Sequence, residues 1–263
     1  ISNETYLGLT ETDFEKNPFL RYPASEKDKM DAEHIQYLLT HELNFSEKFK
    51  ITSNYYYNGF KRNWYKLDDV VFDDNSQKIS KVISNPEEFD SHISILKGGL
   101  DSNNSLKVKA NNREYVSKGI QTKIDYHWYG KNNSFNDLEI GLRYHYDEED
   151  RFQWEDLYSI KKGFMSLDKF GEKGSQGNRI SSANSFATYL MYKYKIKSLT
   201  ITPGIRYESI KLSREDFGKS NPLRSLNDLS FRENKVSVLI PGLGLNYTIN
   251  NKLSFFGGVH KGY

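Results

Sequence analysis

Hydrophobic and polar residues alternate with a period of two over several separate stretches of this chain. In the clearest stretch, residues 137–147, the even positions are Leu, Ile, Leu, Tyr and Tyr, whereas the odd positions are mostly charged or polar. Successive side chains of a β-strand point to opposite faces of its sheet. The pattern therefore predicts a strand with one apolar face and one polar face.

Eight strands of this kind are predicted, at about 33–45, 49–64, 115–129, 137–147, 183–194, 199–211, 236–248 and 253–262. Four tight turns (46–48, 130–136, 195–198 and 249–252) alternate with three long polar excursions (66–112, 148–181 and 212–235). Outer-membrane barrels have short periplasmic turns and long outer loops. The alternation thus predicts an all-β fold, an antiparallel transmembrane β-barrel. Residues 1–30 are predicted as loop, and 86–100 as the place of a short helix.

Two prolines interrupt this pattern. Pro203 and Pro241 fall inside predicted strands, and each is followed by glycine. Proline cannot donate to a strand ladder and is confined to edges and bulges. Both positions are therefore predicted to be β-bulges.

Composition narrows the class of protein further. No stretch approaches the ~18 apolar residues that a membrane-spanning helix needs, and 19 tyrosines suit an interface that is apolar on one side and wet on the other. A net charge of +2 does not indicate nucleic-acid binding. The absence of cysteine excludes disulfides and thiolate metal sites.

Several segments, in order along the chain, resemble one family. They are ETYLGLT at 4–10, RY at 21–22, DKM at 28–30, RNWYKL at 62–67, ANNREY at 110–115, GLRYH at 141–145, EDRF at 149–152, TPGIRYE at 202–208 and GGVHKGY at 257–263. Together they resemble the middle of a TonB-dependent outer-membrane receptor of the ferric citrate receptor family.

The resemblance implies a 22-stranded barrel in the bacterial outer membrane, closed by an N-terminal plug. Residues 1–263 would then be a partial barrel domain of about eight strands, without the plug and the closing strands. The implied function is uptake of a ferric chelate such as ferric citrate or a siderophore. Its partners would be the TonB–ExbB–ExbD complex, acting through the plug, and outer-membrane lipid and lipopolysaccharide. No cofactor and no catalysis are expected.

Arginines are the candidate ligand-binding residues, because a guanidinium pairs bidentately with the carboxylates of an anionic chelate. Arg143 is predicted on the polar face near the outer end of its strand, and Arg151 in the loop that follows. Arg21 and Arg62 lie in or beside loops on the same outer side. The alternative is that these arginines pair with carboxylates of the barrel interior or with the plug.

Other chemistry has weaker support in the sequence. The six histidines lack metal-ligand spacing, although His127 and His145 flank one predicted hairpin and could face the same interior. The acidic pairs at 68–69 and 73–74 could attract a hard cation, or could simply be solvated loop.

Three alternatives to the receptor remain open. The chain could be a complete eight-stranded barrel, or a passive porin or small structural barrel whose interior charges select the solute. A barrel enzyme or adhesin is the third, although no Gly-x-Ser-x-Gly nucleophile motif is present.

Overall fold

The computed structural model describes residues 5–262, and of Asp228 only the backbone. The strands are β1 Lys29–Ser46, β2 Phe49–Phe72, β3 Asn75–Lys78, β4 Ser102–Tyr129, β5 Phe135–Lys161, β6 Phe164–Lys169, β7 Gly177–Ile196, β8 Leu199–Asp216, β9 Ser230–Asn250 and β10 Leu253–His260. The helices are α1 Glu11–Lys16, α2 Ile79–Ser84 and α3 Asp90–Leu96, with 3-10 turns at Pro23–Ser25, Lys131–Asn133 and Leu226–Asp228. Among the described residues, no helix is long and apolar enough to cross a membrane.

All ten strands belong to one antiparallel sheet. Its order is β1-β2-β4-β5-β7-β8-β9-β10, with β3 added beside β2 and β6 beside β5. Within residues 5–262, β1 and β10 each have one partner strand, so the described sheet is open at both edges. The prediction of an all-β antiparallel fold with eight long strands is confirmed, and the four tight turns join the strands that were expected to pair.

The strands are much longer than predicted. β2 continues to Phe72, β4 begins at Ser102 and β5 runs to Lys161, so large parts of the three predicted excursions are sheet. The reason is visible in β5, where Glu148 and Asp150 replace apolar residues on the apolar face. The hydrophobic alternation therefore stops there, although the backbone ladder continues.

Residues 1–30 and the first predicted excursion also contain helices. Residues 1–30 were predicted as loop, but α1 and a 3-10 turn form there and β1 begins at Lys29. The short helix predicted within 86–100 corresponds to α3, whereas α2 was not predicted. Thr10 caps α1, its hydroxyl accepting from Asp13 N, which is a short-range signal for a helix start.

Pro203 and Pro241 do not lie in β-bulges, so that prediction is wrong. The pairing of β8 with β9 passes both positions without a register shift. In the described part of the chain, the β7–β8 ladder lacks pairs at Thr202 and Pro203, and β9 pairs with β10 only as far as Gly242. Each proline thus occupies a gap or an end of a ladder, where its missing N–H interrupts little.

The sheet keeps the two faces that the alternation predicts. On the polar face, Tyr189 Oη donates to Glu139 Oε1 (2.6 Å), and Lys123 Nζ lies 3.4 Å from Glu139 Oε2. On the apolar face, Leu142 and Tyr144 of β5 are 44% and 51% exposed. Among residues 5–262, no buried core therefore packs against the apolar face in the middle of the sheet.

The buried core lies instead in a cap at the end of the sheet far from the tight turns. The cap consists of residues 5–28, β3, α2, α3, β6 and the adjoining ends of β2, β4 and β5. Its core contains Leu7, Tyr22, Ala24, Leu67, Val70, Ile79, Val82, Phe89, Ile93, Ile95, Leu96, Leu106, Val108, Tyr158, Ile160 and Met165. Leu106 and Val108 lie on the same face of β4 as Ile120, and Glu114 and Lys118 lie between them on that face. The apolar face thus has two apolar zones separated by a polar interval.

A carboxylate ties α1 to the rest of the cap. Asp13 Oδ2 lies 2.6 Å from Lys97 Nζ beside α3 and accepts from Tyr22 Oη at 2.5 Å. The hydrogen bond from the Lys97 ammonium, then that from Tyr22, lowers the pKa of Asp13 to about 2. Because the folded pKa lies below the ordinary value of 3.8, this tie stabilises α1 fully above about pH 4 and is lost as the pH falls toward 2.

We therefore expect Asp13→Asn to increase hydrogen exchange of the α1 amides at pH 5. At pH 2, where about half of the wild-type Asp13 side chains are protonated, the difference in exchange between the two proteins should shrink, once intrinsic rates are corrected. Equal protection of α1 in the two proteins at pH 5 would contradict this role of Asp13.

Candidate functional site

A groove of about 830 Å³ crosses the polar face of the sheet between β2 and β9. Two rows of paired residues line it, Asn58–Ser117–Asp147–Ala183–Leu212–Asn234 and Phe60–Tyr115–Glu149–Ser181–Arg214–Arg232. At the middle positions Ser117, Ser181 and Ala183 are small and Asp147 and Glu149 carry carboxylates, whereas the ends carry larger side chains. The recess arises from this difference in side-chain size.

Four arginines lie side by side along the cap-facing edge of the groove. Arg62 of β2 pairs with Arg113 of β4, which pairs with Arg151 of β5, which pairs with Arg179 of β7. Neighbouring strands are about 4.8 Å apart, so the four backbones span roughly 14 Å. We call these four residues the arginine row. Like charges opposite one another destabilise a sheet, so the row needs an anion to balance it.

Glu149 supplies part of that balance. Its carboxylate lies 3.1 Å from Arg113 Nη1 and 2.8 Å from Arg151 Nε. Burial opposes ionisation of Glu149, but the ion pairs outweigh it and hold the pKa of this carboxyl below its ordinary value. Glu149 is therefore charged, and it neutralises one of its two arginine neighbours.

Arg179 is less well compensated. Among the side chains that the structure describes, no carboxylate oxygen lies within 4 Å of its guanidinium, and its Nε is buried without a hydrogen-bond partner. Partial burial and the charges of Arg151 and Arg214 lower the pKa of Arg179 from its ordinary value. Arg214 pairs with Asp216 at 2.9 Å. An anion entering the groove would find Arg179 available.

The structure brings together two of the four arginines that the sequence singled out. Arg62 and Arg151 belong to the arginine row, and both lie in strands, so the expectation that Arg151 sits in a loop is wrong. Arg143 is on the polar face as expected, but the prediction that it lies near the outer end of its strand is wrong, because β5 continues to Lys161. It lies eight residues from Arg151 along β5, roughly 27 Å away. Arg21 lies in the cap, where it lines a separate cavity of about 560 Å³ with Asp28.

Arg143 takes part in a polar network deeper on the same face. Its Nε donates to Tyr56 Oη (3.3 Å), and Tyr56 Oη is 2.5 Å from His145 Nδ1. His145 Nε2 lies 2.7 Å from Asp147. Tyr56 reaches His145 across β4 at Gly119, where a Cβ would come within 2.5 Å of the phenol oxygen. The network holds Arg143 at the wall while leaving it exposed.

The acidic and histidine candidates do not converge on a cation site. Asp68 and Asp69 both pair with Lys78, at 2.9 and 2.5 Å. Across the described residues, no group of three His, Cys, Asp or Glu side chains is placed to hold a metal ion. Lys78 thus neutralises part of the charge of these carboxylates within the protein.

The loop between β8 and β9 is fastened outside the groove. Arg224 donates to both carboxylate oxygens of Asp150 (2.8 and 2.5 Å) and to Asn178 Oδ1 (2.8 Å). Its guanidinium also lies over the rings of Phe152 and Phe217. Asp150 and Phe152 are on the opposite face of β5 from the arginine row, so this loop leaves the groove uncovered.

The fold and groove define a class, namely the wall of an outer-membrane-type β-barrel with a cationic polar face. The family model "TonB dependent receptor-like, beta-barrel" matches residues 3–263. The chain therefore belongs to the TonB-dependent receptor β-barrel family, whose barrels are outer-membrane proteins and transporters.

Solved structures agree with this fold at low sequence identity. The ferric citrate transporter FecA in its unliganded form matches with a TM-score of 0.65 and 15% identity over 96% of this chain and 30% of its own. BauA, the ferric preacinetobactin receptor of Acinetobacter baumannii, matches with a TM-score of 0.55 and 12% identity, over 87% of this chain and 30% of its own. The closed form of Fiu, a ferric-catecholate import receptor of E. coli, matches with a TM-score of 0.55 and 12% identity, over 86% of this chain and 32% of its own.

The chain thus spans about a third of the length of these proteins. Comparison with curated protein sequences gave no significant match.

Proposed function

We propose that the receptor to which this wall belongs takes up an anionic ferric chelate, such as ferric citrate or a siderophore complex. The observation that carries the proposal is the arginine row, in which four arginines lie side by side and, among the described side chains, the Glu149 carboxylate contacts Arg113 and Arg151 only. Such a surface attracts a multiply charged anion and can bind its oxygens by charge-assisted hydrogen bonds.

In this proposal the chain is one part of a 22-stranded barrel. The apolar zone around Leu142 and Tyr144 faces outer-membrane lipid, and the polar interval and the cap project toward lipopolysaccharide and the outside. The groove then opens to the barrel interior near its outer mouth. A plug from another part of the receptor would close the interior and connect it to the TonB–ExbB–ExbD complex.

The arginines divide into two levels along the interior. Arg62 and Arg151 would meet the chelate at the mouth, together with Arg113 and Arg179. Arg143 would meet it only after it had moved inward. Arg21, which lies in the cap, would contribute to the surface around the mouth and not to the groove.

Binding and uptake of ferric citrate by the complete receptor test this proposal. We expect saturable binding that weakens with increasing salt, because charged contacts carry it, and uptake that stops when TonB is removed. Uncharged or cationic ferric complexes should bind more weakly. Solute flux that continues without TonB and without saturation would instead identify a passive pore, and salt-independent binding would remove the arginine row from the site.

A further inference from the structure

One end of the groove is aromatic, although it lies on the polar face. Phe60 and Tyr115 pair across β2 and β4, with ring centroids 6.0 Å apart and planes inclined by 24°. His34 of β1 meets Phe60 edge-on, with centroids 6.0 Å apart and planes at 88°. Both Phe60 and Tyr115 line the groove and remain half-buried. Their other neighbours in the row are Glu, Ser and Arg.

This aromatic pair lies directly below two members of the arginine row. Phe60 and Arg62 are two residues apart on one face of β2, and Tyr115 and Arg113 are two apart on β4, so the Cα atoms in each pair are roughly 7 Å apart along the strand. Arg113 Nη1 donates to Tyr115 Oη at 3.3 Å. A flat aromatic ring resting on Phe60 and Tyr115 would thus have its edge close to Arg62 and Arg113.

The rest of the groove gives room for a bulky complex. Beyond the aromatic end, the small residues Ser117, Ser181 and Ala183 leave the centre open beside the carboxylates of Asp147 and Glu149, and Arg214 and Arg232 stand at the far end. A ligand held at both ends must have a ring at one side and negative charge distributed over several oxygens.

We propose that the groove selects ferric chelates in which aromatic rings carry the iron-binding oxygens, in preference to purely aliphatic carboxylate chelates. This inference rests on the proposed function and names the substrate class of the same site. The ring stacks on Phe60 and Tyr115, and the ring oxygens, anionic when bound to iron, lie toward Arg62 and Arg113. Aromatic stacking supplies the selectivity, and the arginines supply attraction common to all anionic chelates.

The test compares two anionic probes on the complete receptor, ferric tris(2,3-dihydroxybenzoate) and ferric citrate. We expect the wild type to bind the aryl probe more tightly. Exchanging both rings for leucine (Phe60→Leu with Tyr115→Leu) should reduce the ratio of the two affinities about five- to tenfold. Tyr115→Phe keeps the ring and should keep the preference. Tyr57→Leu removes an aromatic from the opposite face of β2 and serves as the matched control.

The ratio is the decisive quantity, because misfolding or loss of the arginine row weakens both probes together. Equal affinity of the wild type for the two probes, with both weakened in the Arg179→Gln variant, would overturn the aryl selectivity and leave the anionic-chelate function standing. An unchanged ratio in the double leucine variant, with only its melting temperature lowered, would also overturn the aryl selectivity of the groove, because the ligand would then not touch these rings. Binding of neither probe would overturn both proposals.

Discussion

Arg179→Gln is expected to weaken binding of an anionic ferric chelate by the complete receptor about 10- to 100-fold. The guanidinium has no carboxylate partner among the described side chains and lies beside Arg151. Its loss should therefore remove a contact to the ligand and not a contact within the wall. Hydrogen bonds to charged groups contribute about 1.5–3 kcal/mol each, which corresponds to that range of dissociation constants. Quenching of tryptophan fluorescence or calorimetry would measure it.

The chain offers a matched control for this change. Lys61 is adjacent to Arg62 but on the opposite face, where it pairs with Glu114 at 3.2 Å. Lys61→Gln removes one positive charge, as Arg179→Gln does, at the same level along the strands as the arginine row. It should leave the affinity within about twofold, since exposed ion pairs contribute little. Arg179→Lys should fall between the wild type and Gln, because a lysine keeps the charge without the bidentate fork. Equal losses in Lys61→Gln and Arg179→Gln would mean that only net charge matters.

Ile140→Arg is expected to destabilise the folded barrel by about 2–4 kcal/mol in a lipid bilayer. Ile140 lies on the apolar face of β5, next to Leu138 and Leu142 in the same alternation. If lipid covers this face, a guanidinium near the bilayer midplane has no water to solvate it. Denaturant unfolding of the complete receptor in bilayers gives the free energy directly.

Glu139→Gln on the neighbouring position is the control for the opposite face. Its side chain accepts from Tyr189 and lies near Lys123. A glutamine oxygen can still accept from Tyr189, so the cost should stay below about 1 kcal/mol. Similar penalties at 139 and 140 would be incompatible with a wall that has one wet face and one lipid face.

The period-two alternation was sufficient to predict the strands near the tight turns, because there one face is apolar throughout. It failed just beyond Asp147, where Glu148 and Asp150 interrupt the apolar face of β5 and the strand is maintained by backbone hydrogen bonds and ion pairs. It also failed in the cap. Residues such as Leu96, Leu106 and Ile160 are close only in three dimensions, and local patterns do not reveal a core assembled from elements that lie far apart in the sequence.

The site could be predicted in part. The tight turn around 130–136 fixes the register of β4 against β5, and that register places Arg113 opposite Arg151. Arg113 could therefore have been found from the sequence. The pairing of Arg62 with Arg113 spans the long insertion with α2 and α3, and that of Arg151 with Arg179 spans β6. Loop length does not determine strand register across such insertions, so the full arginine row could not be predicted from the sequence.

The central claim is that odd positions of β5 face a wet interior and even positions face lipid. The 263 residues contain no cysteine, so single cysteines at Leu142 and Arg143 can carry spin labels in the complete receptor in bilayers, with any cysteine elsewhere in the receptor replaced by serine. Power-saturation measurements should find position 142 accessible to oxygen and not to a water-soluble nickel chelate, and position 143 the reverse. Equal access of the nickel chelate to both positions would contradict the account.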